Sequence, residues 1–264
     1  MHLRFSKLVP ILFGFALAGP AGTASELVES KKIVESAEPE PLFAFSITPA
    51  WDSRYVSEGR DNLDGDSLFG ATTEISYLGL PFGEIMVGTW YAWTPDSPAY
   101  SEFNAFAEYS FEIGEFGAYF GYNHLRFYPE EQFHPDDNYD NEIGAGVSYG
   151  LPLNIGIGAD WYYSFDANGS FFELILEGEY EVCKRLTLVP SALLGFNAGY
   201  IAAGHDGANN VAVGLEAVVP VNDYIELAGY TAYNWAIDRD FPNYPDDEIL
   251  RDFFYGGVRV TISF

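Results

Sequence analysis

The sequence predicts an all-β protein, a transmembrane antiparallel up-and-down β-barrel of about twelve strands. Three observations predict this fold. From residue 43 onward, apolar and polar side chains alternate in successive segments, which is the period of a β-strand. The links between the segments are short and long in turn, and the chain ends on an aromatic residue, Phe264. Together these features favour an outer-membrane barrel with short periplasmic turns and longer extracellular loops.

The beginning of the chain has the pattern of a secretory signal peptide. Arg4 and Lys7 precede a short apolar stretch, and small residues precede the expected cleavage, so we assign residues 1–24 to the signal. Residues 25–42 are rich in Glu and Lys and do not alternate, which predicts a mobile periplasmic leader. The outer-membrane β-barrel domain is therefore expected to comprise residues 43–264.

The strand pattern is clearest in the eighth segment. Leu174 and Leu176 lie on one face of this segment, and Glu173 and Glu177 lie on the other. In a membrane barrel, the apolar face of such a strand contacts lipid and the polar face lines the lumen. The predicted segments are, in order, 43–56, 67–78, 84–94, 101–113, 115–127, 139–149, 154–165, 170–182, 186–197, 209–219, 224–236 and 252–264.

The links between these segments alternate in length. Tight links follow the even-numbered segments, at 79–82, 114, 150–153, 184–185 and 220–223. Longer polar links follow most odd-numbered segments, at 57–66, 95–100, 129–137, 198–208 and 238–249, and the short link 166–169 is the exception. This alternation places both termini of a barrel on its short-turn side.

Aromatic residues concentrate at the long-loop ends of the segments, where an interfacial girdle of a membrane barrel would lie. They are Trp90, Tyr91, Trp93, Phe127, Tyr128, Trp161, Tyr162, Tyr163, Phe165, Tyr233, Trp235, Phe253, Phe254 and Tyr255. A soluble two-sheet sandwich would also have alternating strands and polar loops. The girdle, the loop asymmetry and the terminal aromatic residue together favour the barrel.

The last segment carries apolar residues at alternate positions up to the terminal phenylalanine: Val258, Val260, Ile262 and Phe264. This pattern resembles the C-terminal signature of bacterial outer-membrane proteins, which the barrel-insertion machinery recognises. It implies that the machinery is a partner during biogenesis and that the lipid bilayer of the outer membrane surrounds the folded chain.

The alternate positions predict an acidic lumen. The expected pore-lining residues are Asp52, Arg54, Glu74, Glu102, Glu108, Asp160, Glu173, Glu177, Glu179, Glu216, Glu226 and Arg259. Small residues such as Gly144 and Gly146 lie among them and would leave room inside the barrel. Carboxylates along a narrow aqueous path favour cations over anions. In the alternative interpretation, the carboxylates pair with Arg54, Arg259 and hydroxyl groups and close the lumen. The facing of residues 119–126 stays open, because both alternations there include large apolar side chains.

Composition excludes several other classes of function. With 12 Lys+Arg against 39 Asp+Glu, the net charge of -27 argues against nucleic acid as a partner. The lone Cys183 cannot form an internal disulfide bond. No metal-binding or nucleophile motif is present, so we expect no cofactor, no metal and no enzyme activity. One catalytic alternative is a hydrolase with a site at the outer rim near His205 and Asp206.

Four stretches carry a resemblance to a known family. Residues 52–59 (Asp-Ser-Arg-Tyr-Val-Ser-Glu-Gly) resemble the first hairpin of the TorF-type porin family of proteobacterial outer-membrane proteins. Residues 102–109, Gly121-Tyr122 and residues 141–149 fit the same outline. The resemblance implies a porin-like barrel and supplies no catalytic residue.

The sequence thus predicts a passive channel in the outer membrane of a Gram-negative-type bacterium, which passes small cations or neutral polar solutes. Two alternatives remain at this point. One is the outer-membrane hydrolase with its rim site, and the other is a closed barrel with a structural or surface-interaction role.

Overall fold

The computed structural model describes residues 42–95, 100–128 and 138–264. The predicted signal peptide and nearly all of the predicted leader lie outside these residues. No helix in the described part of the chain is long and apolar enough to cross a membrane.

The described residues form fifteen strands and one short 3-10 helix, Pro245–Glu248. The strands are β1 (Phe43–Asp52), β2 (Val56–Ser57), β3 (Arg60–Asp61), β4 (Leu68–Tyr77), β5 (Glu84–Trp93), β6 (Ser101–Ile113), β7 (Phe116–Tyr128), β8 (Tyr139–Leu151), β9 (Ile155–Ser164), β10 (Gly169–Gly178), β11 (Tyr180–Cys183), β12 (Leu186–Ala198), β13 (Gly207–Asn222), β14 (Ile225–Ala236) and β15 (Phe253–Ser263).

All long strands belong to one antiparallel sheet that closes on itself. Each strand pairs with its neighbours in the chain, β10 pairs with both β9 and β12, and β1 pairs with β15. Because β10 and the short β11 both pair with β12 and follow one another along a single strand position, the barrel has twelve strand positions. This confirms the predicted fold. Closure leaves no long edge of the sheet unpaired, which is what a β-protein needs in lipid.

Side-chain alternation explains why these segments form a membrane barrel. On β10, Phe172, Leu174 and Leu176 are exposed on the outside of the barrel, whereas Phe171 and Ile175 are buried inside. The outward residues of the other strands are also mostly large and apolar. An exposed apolar band around a closed sheet is the architecture of an outer-membrane protein.

The structure settles the facing of β7, which the sequence leaves open. Tyr119, Asn123 and Leu125 are buried and face the lumen, whereas Phe120 and Tyr122 are exposed on the outside. Lipid accommodates one set of large apolar residues on this strand, and the interior accommodates the other.

The predicted girdle needs a correction. Its outward members, such as Tyr91, Trp93 and Trp235, are exposed at the long-loop end of the barrel. Trp90, Tyr162 and Phe253 are buried instead and face the lumen, because adjacent residues of a strand point to opposite sides of the sheet. A run of consecutive aromatic residues therefore supplies both the girdle and the interior.

The connections follow the predicted asymmetry. Between β6 and β7 the turn contains only Gly114, with a φ of 65°, and Glu115. On the opposite side, three loops matter for function, and we name them L1 (residues 53–67), L5 (residues 199–206) and L6 (residues 237–252). The predicted first strand extends too far into L1, because β1 ends at Asp52 and L1 forms its own hairpin from β2 and β3.

Candidate functional site

The lumen wall carries most of the predicted acidic residues. Asp52, Glu102, Glu108 and Asp160 are buried. Five further glutamates are half-buried at lumen-facing positions of their strands: Glu74, Glu173, Glu177, Glu216 and Glu226. The Ser46 hydroxyl donates to Glu74 at 2.8 Å, and the Tyr230 hydroxyl donates to Asp52 at 2.6 Å. Both donors are neutral hydroxyl groups.

The three remaining predicted residues have different surroundings. Arg259 is buried in the lumen wall on β15 and forms an ion pair with Glu216. Arg54 lies in L1, where it forms an ion pair with Asp61 and stacks on the Phe253 ring. Glu179 is exposed at the break between β10 and β11. Both arginines thus have a carboxylate partner.

Aromatic rings occupy much of the interior. Trp90, Tyr119 and Tyr162 are buried at lumen-facing positions. A methyl group added at Gly146 would lie 2.0 Å from Asp160 Oδ1 and 2.2 Å from a Tyr119 ring atom. The expectation that this glycine leaves open space is therefore wrong, because the neighbouring ring and carboxylate fill the space.

L1 begins at one wall of the barrel mouth. The Tyr55 hydroxyl donates to Glu102 Oε2 at 2.7 Å, and its ring lies against Trp90 of β5 and Tyr100. These rings form a buried cluster with Leu68 and Ala92. Burial raises the pKa of the Tyr55 hydroxyl, and the neighbouring Glu102 carboxylate raises it further.

L1 then reaches the wall formed by β13 and β14. The Asn209 amide donates to the Glu58 carbonyl at 2.7 Å, and the Asn234 amide donates to the Gly59 carbonyl at 2.9 Å. In the barrel order, β13 and β14 lie across from β5 and β6. L1 therefore crosses the mouth from wall to wall and narrows the entrance to the lumen.

A buried network holds L1 against L6. Arg60 is 2% exposed and donates to the Asn209 side chain at 2.7 Å and to Asp247 Oδ1 at 3.3 Å. Burial lowers the pKa of Arg60, while the Glu58 and Asp247 carboxylates oppose this shift. Burial also acts to raise the pKa of Asp247, but hydrogen bonds from the Asp240 backbone and His205 outweigh burial and lower it.

The structure shows which groups contact His205 and Asp206, the two residues of the hydrolase alternative. His205 is buried, with Nδ1 2.8 Å from Asp247 Oδ2 and Nε2 2.9 Å from the Ala208 carbonyl oxygen. Asp206 accepts a hydrogen bond from the Gly199 backbone at 2.7 Å. Both ring nitrogens of His205 thus have partners within the protein, so neither is available to activate a water molecule. In the described residues, no group of three His, Cys, Asp or Glu side chains could hold a metal ion.

L5 adds a second contact across the interior. The Tyr200 hydroxyl donates to Glu142 of β8, and its ring lies 6.0 Å from the ring of Phe171. Burial raises the pKa of Tyr200, and the Glu142 carboxylate raises it further. L1 and L5 therefore both bring side chains into the upper lumen.

Sequence reasoning missed Glu58, Arg60 and Glu142 as residues of the barrel mouth. A signal for a filled mouth was nevertheless present, because asparagine is depleted in strands and yet recurs here at lumen-facing positions near the long-loop ends. These asparagines are Asn104, Asn123, Asn197, Asn210 and Asn234, and all are buried. Buried amides of this kind need hydrogen-bond partners, which inserted loops can supply.

Comparisons with known proteins show the same fold. Neither protein-family models nor curated protein sequences match the chain. Among solved structures, an outer membrane channel from Pseudomonas putida matches with a TM-score of 0.54 at 9% identity, covering 89% of this chain and 100% of that chain. A KdgM porin matches with a TM-score of 0.53 at 10% identity, covering 83% of this chain and 99% of that chain.

The KdgM porin in complex with disordered oligogalacturonate also matches, with a TM-score of 0.50 at 9% identity, covering 84% of this chain and 99% of that chain. At identities this low, the structural likeness shows a shared outer-membrane barrel fold and nothing beyond the fold.

Proposed function

We propose that the protein is a passive outer-membrane channel that passes small cations and neutral polar solutes through its acidic lumen. The half-buried lumenal glutamates carry this proposal, because Glu173 and Glu177 face the interior and the ion pair of Arg259 is made with Glu216. Carboxylates in a narrow path attract cations and repel anions. The fold shared with a porin and an outer membrane channel supports the proposal, as does the resemblance to the TorF-type porin family.

The contrast with the KdgM porin sharpens the proposed selectivity. That porin is known in complex with oligogalacturonate, a chain of sugar acids that carries negative charge. The acidic lumen of this chain would repel such a ligand. We therefore expect its solutes to be cationic or uncharged.

Single-channel recording in a planar bilayer under a KCl gradient tests the proposal. We expect a steady conductance with a cation-selective reversal potential, and the double variant Glu173→Gln/Glu177→Gln should move that potential towards zero. Glu115→Gln is the control for charge outside the lumen, because it removes one negative charge from an exposed periplasmic turn. Anion selectivity in the wild-type protein would contradict the proposal.

A barrel that stays closed is the second candidate, and the course of L1 across the mouth favours it. Silent bilayers that contain correctly inserted protein would support this candidate over the open channel. A variant that releases L1 from the mouth distinguishes two kinds of closed barrel. A lumen closed only by L1 would then conduct ions, whereas a lumen filled along its whole length would stay silent.

We also propose that residues 1–24 direct export and that the barrel-insertion machinery recognises the last strand. Val258 and Phe264 are exposed on the outside of the barrel, and Val260 and Ile262 share their face. Replacing Phe264 with serine should reduce assembly of the barrel in the outer membrane. The folded fraction in isolated membranes, measured by heat-dependent gel mobility, would check this.

A further inference from the structure

The ring of Phe106 on β6 lies in the lumen wall with one face against the sheet. A methyl group added at Gly88, the partner of Phe106 on β5, would lie 2.4 Å from Phe106 Cζ. The ring therefore covers the glycine of the neighbouring strand. It is half-buried and packs against the buried cluster that contains Tyr55 and Trp90. Its other face is thus turned to the lumen, next to the place where L1 packs.

Three polar side chains around this ring have atoms without hydrogen-bond partners. Asn104 and Glu108 lie two residues before and after Phe106 on the same face of β6, and Asn123 lies opposite Phe106 on β7. These three side chains are 0%, 5% and 1% exposed. In the part of the chain that the structure describes, Asn104 Oδ1, Glu108 Oε1 and both polar atoms of the Asn123 amide have no partner. Folded proteins pair nearly all such buried groups, so these atoms indicate a ligand of matching chemistry.

The spacing of these groups fits a small ring-shaped molecule. Residues on one face of a strand follow one another at about 6.6–6.8 Å, and the Cβ atoms of opposite residues are about 4.5–5.5 Å apart. Glu142 on β8 extends the patch, because it lies opposite Asn123 and its buried Oε2 also has no partner among the described residues. The Tyr200 hydroxyl donates to the other oxygen of Glu142. An aromatic face is thus bordered by polar atoms on several sides.

The kinds of unpartnered atom select the chemistry of the ligand. The carboxylate and amide oxygens accept hydrogen bonds, whereas the Asn123 amide nitrogen donates them. Hydroxyl groups do both, so a hydroxylated ligand satisfies every one of these atoms. An ammonium group only donates, and an ionised carboxylate only accepts. Three further carboxylates lie close enough to Glu108 to repel it electrostatically, and the same wall would repel an anionic ligand.

We infer that Phe106 and the three polar side chains around it form a subsite for one ring of a neutral saccharide. One face of a sugar ring carries mainly C–H groups and packs on the phenyl ring, while the hydroxyl groups at its edge bond to the amides and the carboxylate. Binding sites for small molecules commonly combine aromatic rings with a few placed polar groups in this way. The inference rests on the proposed channel function, because the solute reaches the subsite through the lumen, and it names one class of solute.

Calorimetric titration tests the subsite in the full chain, refolded into micelles of a detergent without sugar head groups. The neutral probes are maltotriose and cellotriose, and the charged probes are trigalacturonate and the trimer of glucosamine. We expect saturable binding of a neutral probe that is tighter than the binding of either charged probe. The double variant Phe106→Leu/Asn123→Leu should weaken this binding by roughly tenfold or more. Phe103→Leu is the matched control, because it makes the same change on the opposite face of β6.

Three results would overturn the inference. The first is a folded barrel that binds neither neutral probe, which would mean that water alone satisfies these atoms. The second is tighter binding of the glucosamine trimer, which would indicate attraction of cations to the acidic wall. The third is a loss of affinity in Phe103→Leu equal to that in the double variant.

Asn123→Leu alone keeps the test decisive if the double variant does not fold. Removing a buried amide without partners should leave stability unchanged or higher, while the affinity for the neutral probe still falls. Binding is measured without flow through the lumen. A barrel that binds saccharide and does not conduct would therefore contradict the channel function, whereas one that conducts and does not bind would contradict this inference alone.

Discussion

The guanidinium of Arg60 lies 3.3 Å from the Asp247 carboxylate, and this contact joins two outer loops whose residues are 187 positions apart in the chain. The two side chains are 2% and 0% exposed. Removing one partner of such a buried pair leaves the other charge uncompensated, which costs about 3–5 kcal/mol. L1 is therefore held across the mouth mainly by contacts that only the folded barrel can make.

Replacing Arg60 with alanine should release L1 from the mouth. The variant loses the guanidinium bonds to Glu58, Asn209 and Asp247, so we expect a higher single-channel conductance and an unfolding free energy that is lower by about 3–5 kcal/mol. Bilayer recording and urea unfolding in detergent measure the two effects. Arg251→Ala is the control, because Arg251 and Asp64 form an exposed pair worth about 1 kcal/mol or less. Conductance equal to that of the wild-type protein would argue against L1 as the constriction.

Gly59→Ala should displace L1 without removing a charge. Gly59 has a φ of 70°, and an added Cβ would lie 2.4 Å from Asn210 Cγ. Asn210 cannot move away freely, because its amide donates to Asn234 at 2.9 Å. We expect faster hydrogen exchange of the L1 backbone amides, measured by mass spectrometry.

The control for this substitution is Gly114→Ala. Gly114 has a similar φ of 65°, but an added Cβ would meet nothing within 4 Å. Both variants bear the cost of a left-handed conformation, about 1–2 kcal/mol, and only Gly59→Ala adds the steric clash. The same L1 exchange rates in the two variants would show that the clash is relieved locally.

Arg259 and Glu216 should affect ion selectivity in opposite directions. They form an ion pair in the lumen wall, so Arg259→Met removes positive charge from the lumen and Glu216→Gln removes negative charge. We expect stronger cation selectivity in Arg259→Met and weaker cation selectivity in Glu216→Gln, read from reversal potentials under a KCl gradient. A shift in the same direction for both variants would indicate that the pair acts through structure and not through charge.

The contribution of Asp247 to stability should persist at mildly acidic pH. Its pKa is lowered below the ordinary value of 3.8, chiefly through hydrogen bonds that outweigh the opposing effect of burial. A carboxyl group of this kind stabilises the folded state above its unfolded pKa, and the contribution is lost as the pH falls through the folded pKa.

The difference in unfolding free energy between the wild-type protein and Asp247→Asn measures this contribution. It should stay constant from about pH 7 to about pH 5 and shrink below about pH 3.8. A difference that disappears near neutral pH would assign the stabilisation to another group.

The sequence predicted the barrel well because the two faces of a membrane strand differ so strongly. Along β10, Glu173 and Glu177 alternate with Leu174 and Leu176, and lipid on one side and the lumen on the other allow only one facing. On β7 both faces include large apolar residues, so periodicity could not decide whether Tyr119 faces in or out. In the structure, Tyr119 faces inward, where the interior also contains the buried rings of Trp90 and Tyr162.

The mouth could not be predicted in the same way. L1 is acidic and contains glycine, and this composition is typical of solvated loops. Its burial depends on partners that are remote in the chain, such as Glu102 for Tyr55 and Asn209 for Arg60. Single-residue patterns carry no information about such pairs. Only the lumen-facing asparagines indicated that the upper barrel is filled.

The pairing of β1 with β15 also limits the order in which the molecule can assemble. The Phe45 amide donates to the Phe264 carbonyl at 3.2 Å, and the Phe264 amide donates to the Phe45 carbonyl at 2.9 Å. One edge of β1 therefore has no hydrogen-bond partner until β15, the final strand, has been synthesised. Contacts between such distant segments form slowly, and an open edge invites pairing with other chains. The nascent protein consequently needs protection from aggregation until its last strand arrives.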